Sequence, residues 1–260
     1  MNDAAQPSLV KRLPSVLAVL ALILSLAAVA LALSPGPLYA TGALDLMPAF
    51  SLLLDAAPVA AAAAVAAGLA GAIGGAVLRA RFSAGLALVG ALIGTGTWLA
   101  VDDFKARAAA NPLHDVTTNL EAPPSFSAIA PRRYEAGSAP ARAAYPHPDW
   151  RATHEALYPD LETLLLPLSV SEAAARAKAV AEEMGWSLEA SRESGDEARI
   201  EATDRTGWFA FTDDIVVTVT PRDEGRAAVD IRSVSRIGIG DVGKNAERIR
   251  AFIARLQESS

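Results

Sequence analysis

Residues 236–245 read RIGIGDVGKN, and the choice of fold turns on them. Gly238, Gly240 and Gly243 fit G-x-G-x-x-G, the turn that opens a dinucleotide-binding β-α-β unit. That unit needs a further strand and an acidic residue about 20 positions on, to hold a ribose. Only seventeen residues follow Gly243, and a helical pattern fills them. The stretch also follows an antiparallel hairpin pattern. Asp241 stands where a phosphate would meet the helix, and its carboxylate competes for the same amides. Asp241 is therefore read as an N-cap and the glycines as permissive turn residues. No nucleotide or other cofactor is expected.

Outward from this turn the chain alternates. Trp186, Leu188 and Ala190 are interleaved with polar residues. So are Ala198, Ile200 and Ala202, then Ile215, Val217 and Val219, then Ala227, Val229 and Ile231. Period-two alternation predicts four antiparallel strands with one face buried and one wet. The stretch PRDEGR, residues 221–226, joins the last two as a hairpin. Upstream, SVSEAAARAKAVAEEMG (169–185) has helical spacing, a capping box at Ser169 and Glu172, and Gly185 as a C-terminal cap. Downstream, a helix is expected over Asp241–Leu256, with Val242, Ala246, Ile249, Ile253 and Leu256 on the core face. DWRATHEALYPDL (149–161) suggests a short helix ending before Pro159. The reading is an α+β domain of two layers over 149–260, a four-stranded antiparallel sheet packed by helices. Residues 102–148 hold Pro112, Pro123, Pro124, Pro131, Pro140, Pro146 and Pro148 and are read as an irregular tether.

The first hundred residues differ. The chain is 52% hydrophobic and only 6% aromatic, and alanine, leucine and valine concentrate near the N-terminus. Leu13–Leu33, Pro58–Leu78 and Ala84–Val101 are each long enough to cross a hydrocarbon core. They define a transmembrane region over 13–101 after a tail of residues 1–12. A signal peptide at the first run is disfavoured by its length and by the two later spans. Lys11 and Arg12 precede span one, Arg79 and Arg81 join spans two and three, and residues 34–57 contain no Lys or Arg. The positive-inside rule then places the N-terminus in the cytoplasm and the C-terminal domain outside the bacterial inner membrane, in the periplasm. Tyr39 and Trp98 fall near the outer interface. Gly71 with Gly75 and Gly90 with Gly94 form G-x-x-x-G pairs, suited to a tight hairpin or a dimer face. Asp45 and Asp55 are placed at or outside the interface.

Composition excludes several classes. The absence of cysteine removes disulfides, thiolate zinc sites, cysteine nucleophiles and iron–sulfur clusters. From Asp102 onward there are 19 Lys+Arg and 26 Asp+Glu, a net of −7, which argues against nucleic acid as a partner. His114, His147 and His154 offer no convergent metal set, and Ser233 and Ser235 have no nearby histidine.

One polar constellation stands out. Asp241, Asn245, Arg248 and Phe252 form a stripe beside the apolar face of the last helix. The preceding strand brings Arg232 and Arg236, with Asp230 also outward. The loop TDRTGWFAFTDD (203–214) brings Asp204, Arg205, Asp213 and Asp214 beside Trp208, Phe209 and Phe211. Such a set could bind an anion or do acid–base work. The alternative is a group of structural ion pairs in which Asp213, Asp214 and Asp241 neutralise Arg232, Arg236 and Arg248.

The motifs MGW, RIEATDRTGWFAFTDDIVVTV, DIRSVSRIGIGDVGKNAERI and YPH resemble the bacterial family called domain of unknown function 1499, over roughly Leu113–Leu256. Many members carry an asparagine–cysteine motif near the domain start. Here HDVTTN (114–119) stands in that region, so a thiol role is excluded. The resemblance implies an α+β domain attached to bacterial membranes and no established reaction. The expectation is a non-enzymatic envelope module. Its spans contact membrane lipids, and its outer domain binds a lipid headgroup, glycan or protein. The alternative is a membrane-anchored hydrolase or transferase using Asp213, Asp214 or Asp241 with Arg232 and Arg236.

Overall fold

The first apolar run is helical throughout. The computed structural model describes residues 9–129, 149–238 and 240–258. In it α1 spans Leu9–Leu33, followed by α2 (Pro35–Ala40) and α3 (Leu46–Ser51). A π-helical turn at Leu52–Ala56 leads into α4 (Ala57–Val77), and α5 covers Arg81–Ala110. Three segments, Lys11–Leu33, Leu46–Val77 and Arg81–Ala110, are long and apolar enough to cross a membrane.

These helices bury small residues and expose large ones. Ala18, Ala21, Ser25 and Ala28 are buried in α1. So are Ala57, Ala61, Ala64, Gly68, Gly71 and Gly75 in α4, and Ala87, Gly90, Gly94, Thr97 and Val101 in α5. Each series advances by threes and fours, which keeps it on one helix face. Val16, Ile23, Leu26 and Leu92 point outward and are more than half exposed. Small side chains on the shared faces let the backbones approach, a pattern compatible with helices in a membrane. A Cβ on Gly90 would lie 2.8 Å from the Ala21 carbonyl carbon, and one on Gly94 2.9 Å from the Ala61 oxygen. A Cβ on Gly71 would lie 3.0 Å from the Ala87 Cβ, and one on Gly75 2.9 Å from the Ala84 Cβ. Both G-x-x-x-G pairs are thus occupied by helices of the same chain. Thr95 and Thr97 donate to the Ala91 and Ile93 carbonyls, so their hydroxyls are satisfied within the helix. Asp55 lies in the π-helical turn and accepts from Ser51, while Lys105 donates to the Leu54 carbonyl at 2.7 Å.

The chain divides into two compact units, Met1–Ala106 and Arg107–Ser260. Residues 102–110, expected to begin an irregular tether, instead continue α5. Nothing there disfavours helix until Asn111, which precedes Pro112. Of the remaining tether prolines, Pro131, Pro140, Pro146 and Pro148, together with His147, lie outside the described residues.

The second unit is α+β, as the alternation predicts, but its sheet has six strands instead of four. β1 (Asp115–Thr117) and β2 (Leu164–Leu166) join β3 (Ser187–Ser194), β4 (Glu197–Arg205), β5 (Thr212–Pro221) and β6 (Ala227–Ser235). β3 to β6 form an antiparallel meander, and β1 and β2 both pair with the outer edge of β6. β1 sits inside the supposed tether.

α6 (Trp150–Leu157) ends before Pro159 as expected. α7 (Val170–Glu183) begins with the full capping box of Ser169 and Glu172. It closes in a Schellman motif. Gly185 has φ +79°, its amide bonds to the Glu182 carbonyl, and the Trp186 amide reaches Ala181. α8 (Lys244–Glu258) starts three residues later than expected. Val242 is in the turn before it, at φ +59°, and is not a core position. Phe252, assigned to the polar stripe, is fully buried and stacks on Trp186 at 5.2 Å.

The second face of the sheet, expected to be wet, is covered over part of its area. Val216, Ala228 and Val234 alternate with the core set and are also buried. Glu201, on that face of β4, is buried beneath Ser127–Ile129. It accepts hydrogen bonds from the Ser127 hydroxyl (2.6 Å) and from the amides of Ser127, Ala128 and Ile129. Burial would raise its pKa, but the hydroxyl and the amides more than reverse this and leave it lowered.

Candidate functional site

Successive side chains of a strand point to opposite faces. Asp213 and Asp214, adjacent on β5, are therefore separated by the sheet, and they do not act as a carboxylate pair. The nine candidate residues divide accordingly.

On the helix side one network is closed around Arg248 of α8. Its Nη2 donates to Asp213 at 2.7 Å and lies 2.9 Å from Asp204, which also accepts from Nε at 3.0 Å. Its Nη1 donates to Asn245 Oδ1 at 2.7 Å and to Ser233 Oγ at 3.1 Å. Asn245 donates in turn to Ser235 Oγ and to the His114 carbonyl. Arg248, Asp213 and Asn245 are all buried. The network ties α8 to β4, β5, β6 and the segment leading into β1. Ser233 and Ser235, inert in the sequence reading except as rejected nucleophiles, are its hydroxyl links.

On the other face the charges form separate pairs. Arg236 places Nε 2.9 Å and Nη2 2.8 Å from one oxygen of the fully buried Asp214. Arg232 forms a bidentate pair with Asp115 at 2.8 and 2.6 Å, a partner in β1 that the sequence did not single out. Asp230 is buried and accepts from Thr118, Asn119 and Thr163.

The glycine turn serves geometry. Gly238 and Gly243 have φ of +93° and +85°, in the left-handed region. Gly240 packs so closely that a Cβ there would meet the Asn111 carbonyl oxygen at 2.7 Å. Asp241 accepts from the Gly243 amide at 2.7 Å and the Asn245 amide at 2.6 Å. Both oxygens of the carboxylate that would oppose a phosphate are thus already bound to the turn. Burial pushes its pKa up to about 6 against the pull of these amides, and the nearby charge of Asp213 adds to the rise. Tyr158 is pushed to about 12, by burial and then by the charge of Asp241.

His154 is buried between Trp150 and Tyr158, and its Nε2 accepts from the Thr117 amide at 3.1 Å. Burial lowers its pKa, so the neutral ring anchors α6 to β1. Among the described residues no three His, Asp or Glu side chains converge to hold a metal.

An open feature remains where the ends of β3, β4 and β5 meet. A cleft of about 500 Å³ is lined there by Ser187, Glu189, Thr203, Arg205, Thr212 and Arg236. Arg205 is exposed and makes no side-chain ion pair among the described residues. Ser187, Glu189, Thr203 and Thr212 carry no signal as site residues in the sequence, because isolated hydroxyls and a single glutamate on strands form no motif. Behind Arg205, Trp208, Phe209 and Phe211 pack on one another at 4.9 and 5.0 Å, with Ala210 held at φ +54°.

The family model described as protein of unknown function DUF1499 matches residues 115–256, more than half of the chain. No curated protein and no solved structure matches it.

Proposed function

The chain belongs to the DUF1499 family, and on that premise we propose that it is a membrane-anchored, non-enzymatic binding module of the bacterial envelope. The N-terminus lies in the cytoplasm and the C-terminal domain in the periplasm. The observation that carries the binding reading is that each candidate catalytic carboxylate is engaged by the protein itself, with Asp213 and Asp214 also buried away from solvent. Asp213 and Asp204 are engaged by Arg248, Asp214 by Arg236, Asp115 by Arg232, and Asp241 by two backbone amides. A general base must keep an oxygen within reach of substrate. The cleft beside Arg205 offers donors to a ligand, and its hydroxyl–carboxylate contact, Thr203 to Glu189, is long at 3.5 Å. Sidedness is supported by Lys11, Arg12, Arg79 and Arg81 at one end of the spans and the lack of Lys or Arg over 34–57.

The hydrolase or transferase alternative draws on Asp241, whose pKa of about 6 suits proton transfer near neutrality. Its two oxygens are directed into the turn. The test is a panel of ester, phosphate and glycoside substrates offered to the full chain in non-ionic micelles. The binding reading expects no turnover. Turnover abolished by Asp241→Asn would establish the alternative.

A further inference from the structure

The cleft has a recognisable chemistry. Ser187 of β3 pairs with Thr203 of β4, and Arg205 pairs with Thr212 of β5. The Arg236 amide donates to the Thr212 carbonyl at 3.0 Å, which brings Arg236 alongside. Thr212 thus lies between Arg205 and Arg236, and Ser187 and Thr203 form the neighbouring rung of the same face.

The two arginines are held differently. Arg236 is fixed from behind by the buried Asp214. Arg205 is exposed at the rim, with no side-chain ion pair among the described residues. Asp204, at the same rim, does not oppose an anion strongly. One of its oxygens faces Arg248, and the other accepts from the Arg205 amide at 2.8 Å. Glu189 is the remaining carboxylate of the lining, beside Thr203 at 3.5 Å.

We infer that this cleft binds the phosphate ester of a small polar alcohol, an assignment that rests on the binding-module reading above. Paired guanidiniums and hydroxyls supply more donors than a carboxylate can accept and match the oxygens of a phosphoryl group. A volume of about 500 Å³ exceeds the phosphoryl group alone and leaves room for its substituent. Glu189 accepts from a hydroxyl or ammonium on that substituent and repels a second anion. The ester is carried by a lipid headgroup or is free in solution.

The test uses the full chain in maltoside micelles, with glycerol 3-phosphate followed by calorimetry and phosphatidylglycerol retention followed by native mass spectrometry. Arg205→Ala and Thr212→Val are expected to weaken binding by about tenfold or more without changing thermal stability. Arg236→Lys is the third variant, because Arg236→Ala would strand the buried Asp214. Arg205-dependent retention of the lipid, with the free ester bound far more weakly, identifies a headgroup. The reverse identifies a soluble ester. Failure of both to bind, or binding indifferent to Arg205→Ala, overturns the assignment. Protection of Arg205 from phenylglyoxal by an uncharged glycan would also overturn it while leaving the binding module standing. Hydrolysis of the ester would overturn both.

Discussion

Asp241 holds a carboxylate in an environment that favours its neutral form. Its pKa is about 6 in the folded chain, against 3.8 for an ordinary aspartate. Between about pH 4 and about pH 6 the folded state therefore binds more protons than the unfolded state, and stability falls as pH rises through that window. Asp241→Asn keeps an oxygen for one amide and removes this dependence. Unfolding midpoints of the two proteins, compared across the window, are expected to converge at the acid end and to separate towards neutrality in favour of the variant. The comparison cancels Glu201 and His154, whose lowered pKa values act in the opposite direction. Gly240 is the second diagnostic residue. A methyl group there meets the Asn111 oxygen and the Pro112 backbone, so Gly240→Ala should cost about 1–3 kcal/mol, measurable by chemical unfolding. If the glycine served a ligand instead, the variant would keep its stability and lose binding.

Among elements, the helices of the N-terminal unit make the sharpest prediction. Gly90 abuts the Ala21 backbone, whereas Gly85 on the same helix faces open space. Gly90→Leu should separate α1 from α5 and lower thermal stability in micelles, while Gly85→Leu should be silent. Equal effects would refute the same-chain packing. The long elements were legible in the sequence because their periodicity is strong. Alternation marked β3 to β6, and the capping box marked α7. β1 and β2 were not legible, since three residues show no alternation and both strands depend on β6 for pairing. The partial cover of the second face was missed for a different reason. Glu201 and Asp230 look like solvent positions until the segments that satisfy them are placed, and those contacts join residues about 70 to 110 apart in the chain. The candidate charges were legible by type. Their division between two faces follows from strand geometry, but Asp115 as the partner of Arg232 follows only from the register of β1.

At the scale of the whole molecule, a bundle of three helices long and apolar enough to cross a membrane precedes an acidic α+β domain, and the proposed reading makes the buried charges of that domain its scaffold. Sidedness is testable because the chain has no cysteine. Ser194→Cys, at the exposed end of β3 next to the turn into β4, should react with an impermeant maleimide added outside spheroplasts. Arg79→Cys should react only after permeabilisation. The inverse pattern would place the domain in the cytoplasm. The scaffold claim itself is tested most directly by amide hydrogen exchange of α8 in the full-length Asp213→Asn protein. Loss of a buried partner of Arg248 should cost on the order of 3 kcal/mol and speed exchange over residues 246–252 by roughly a hundredfold. Exchange in α8 unchanged from the wild type would contradict the account.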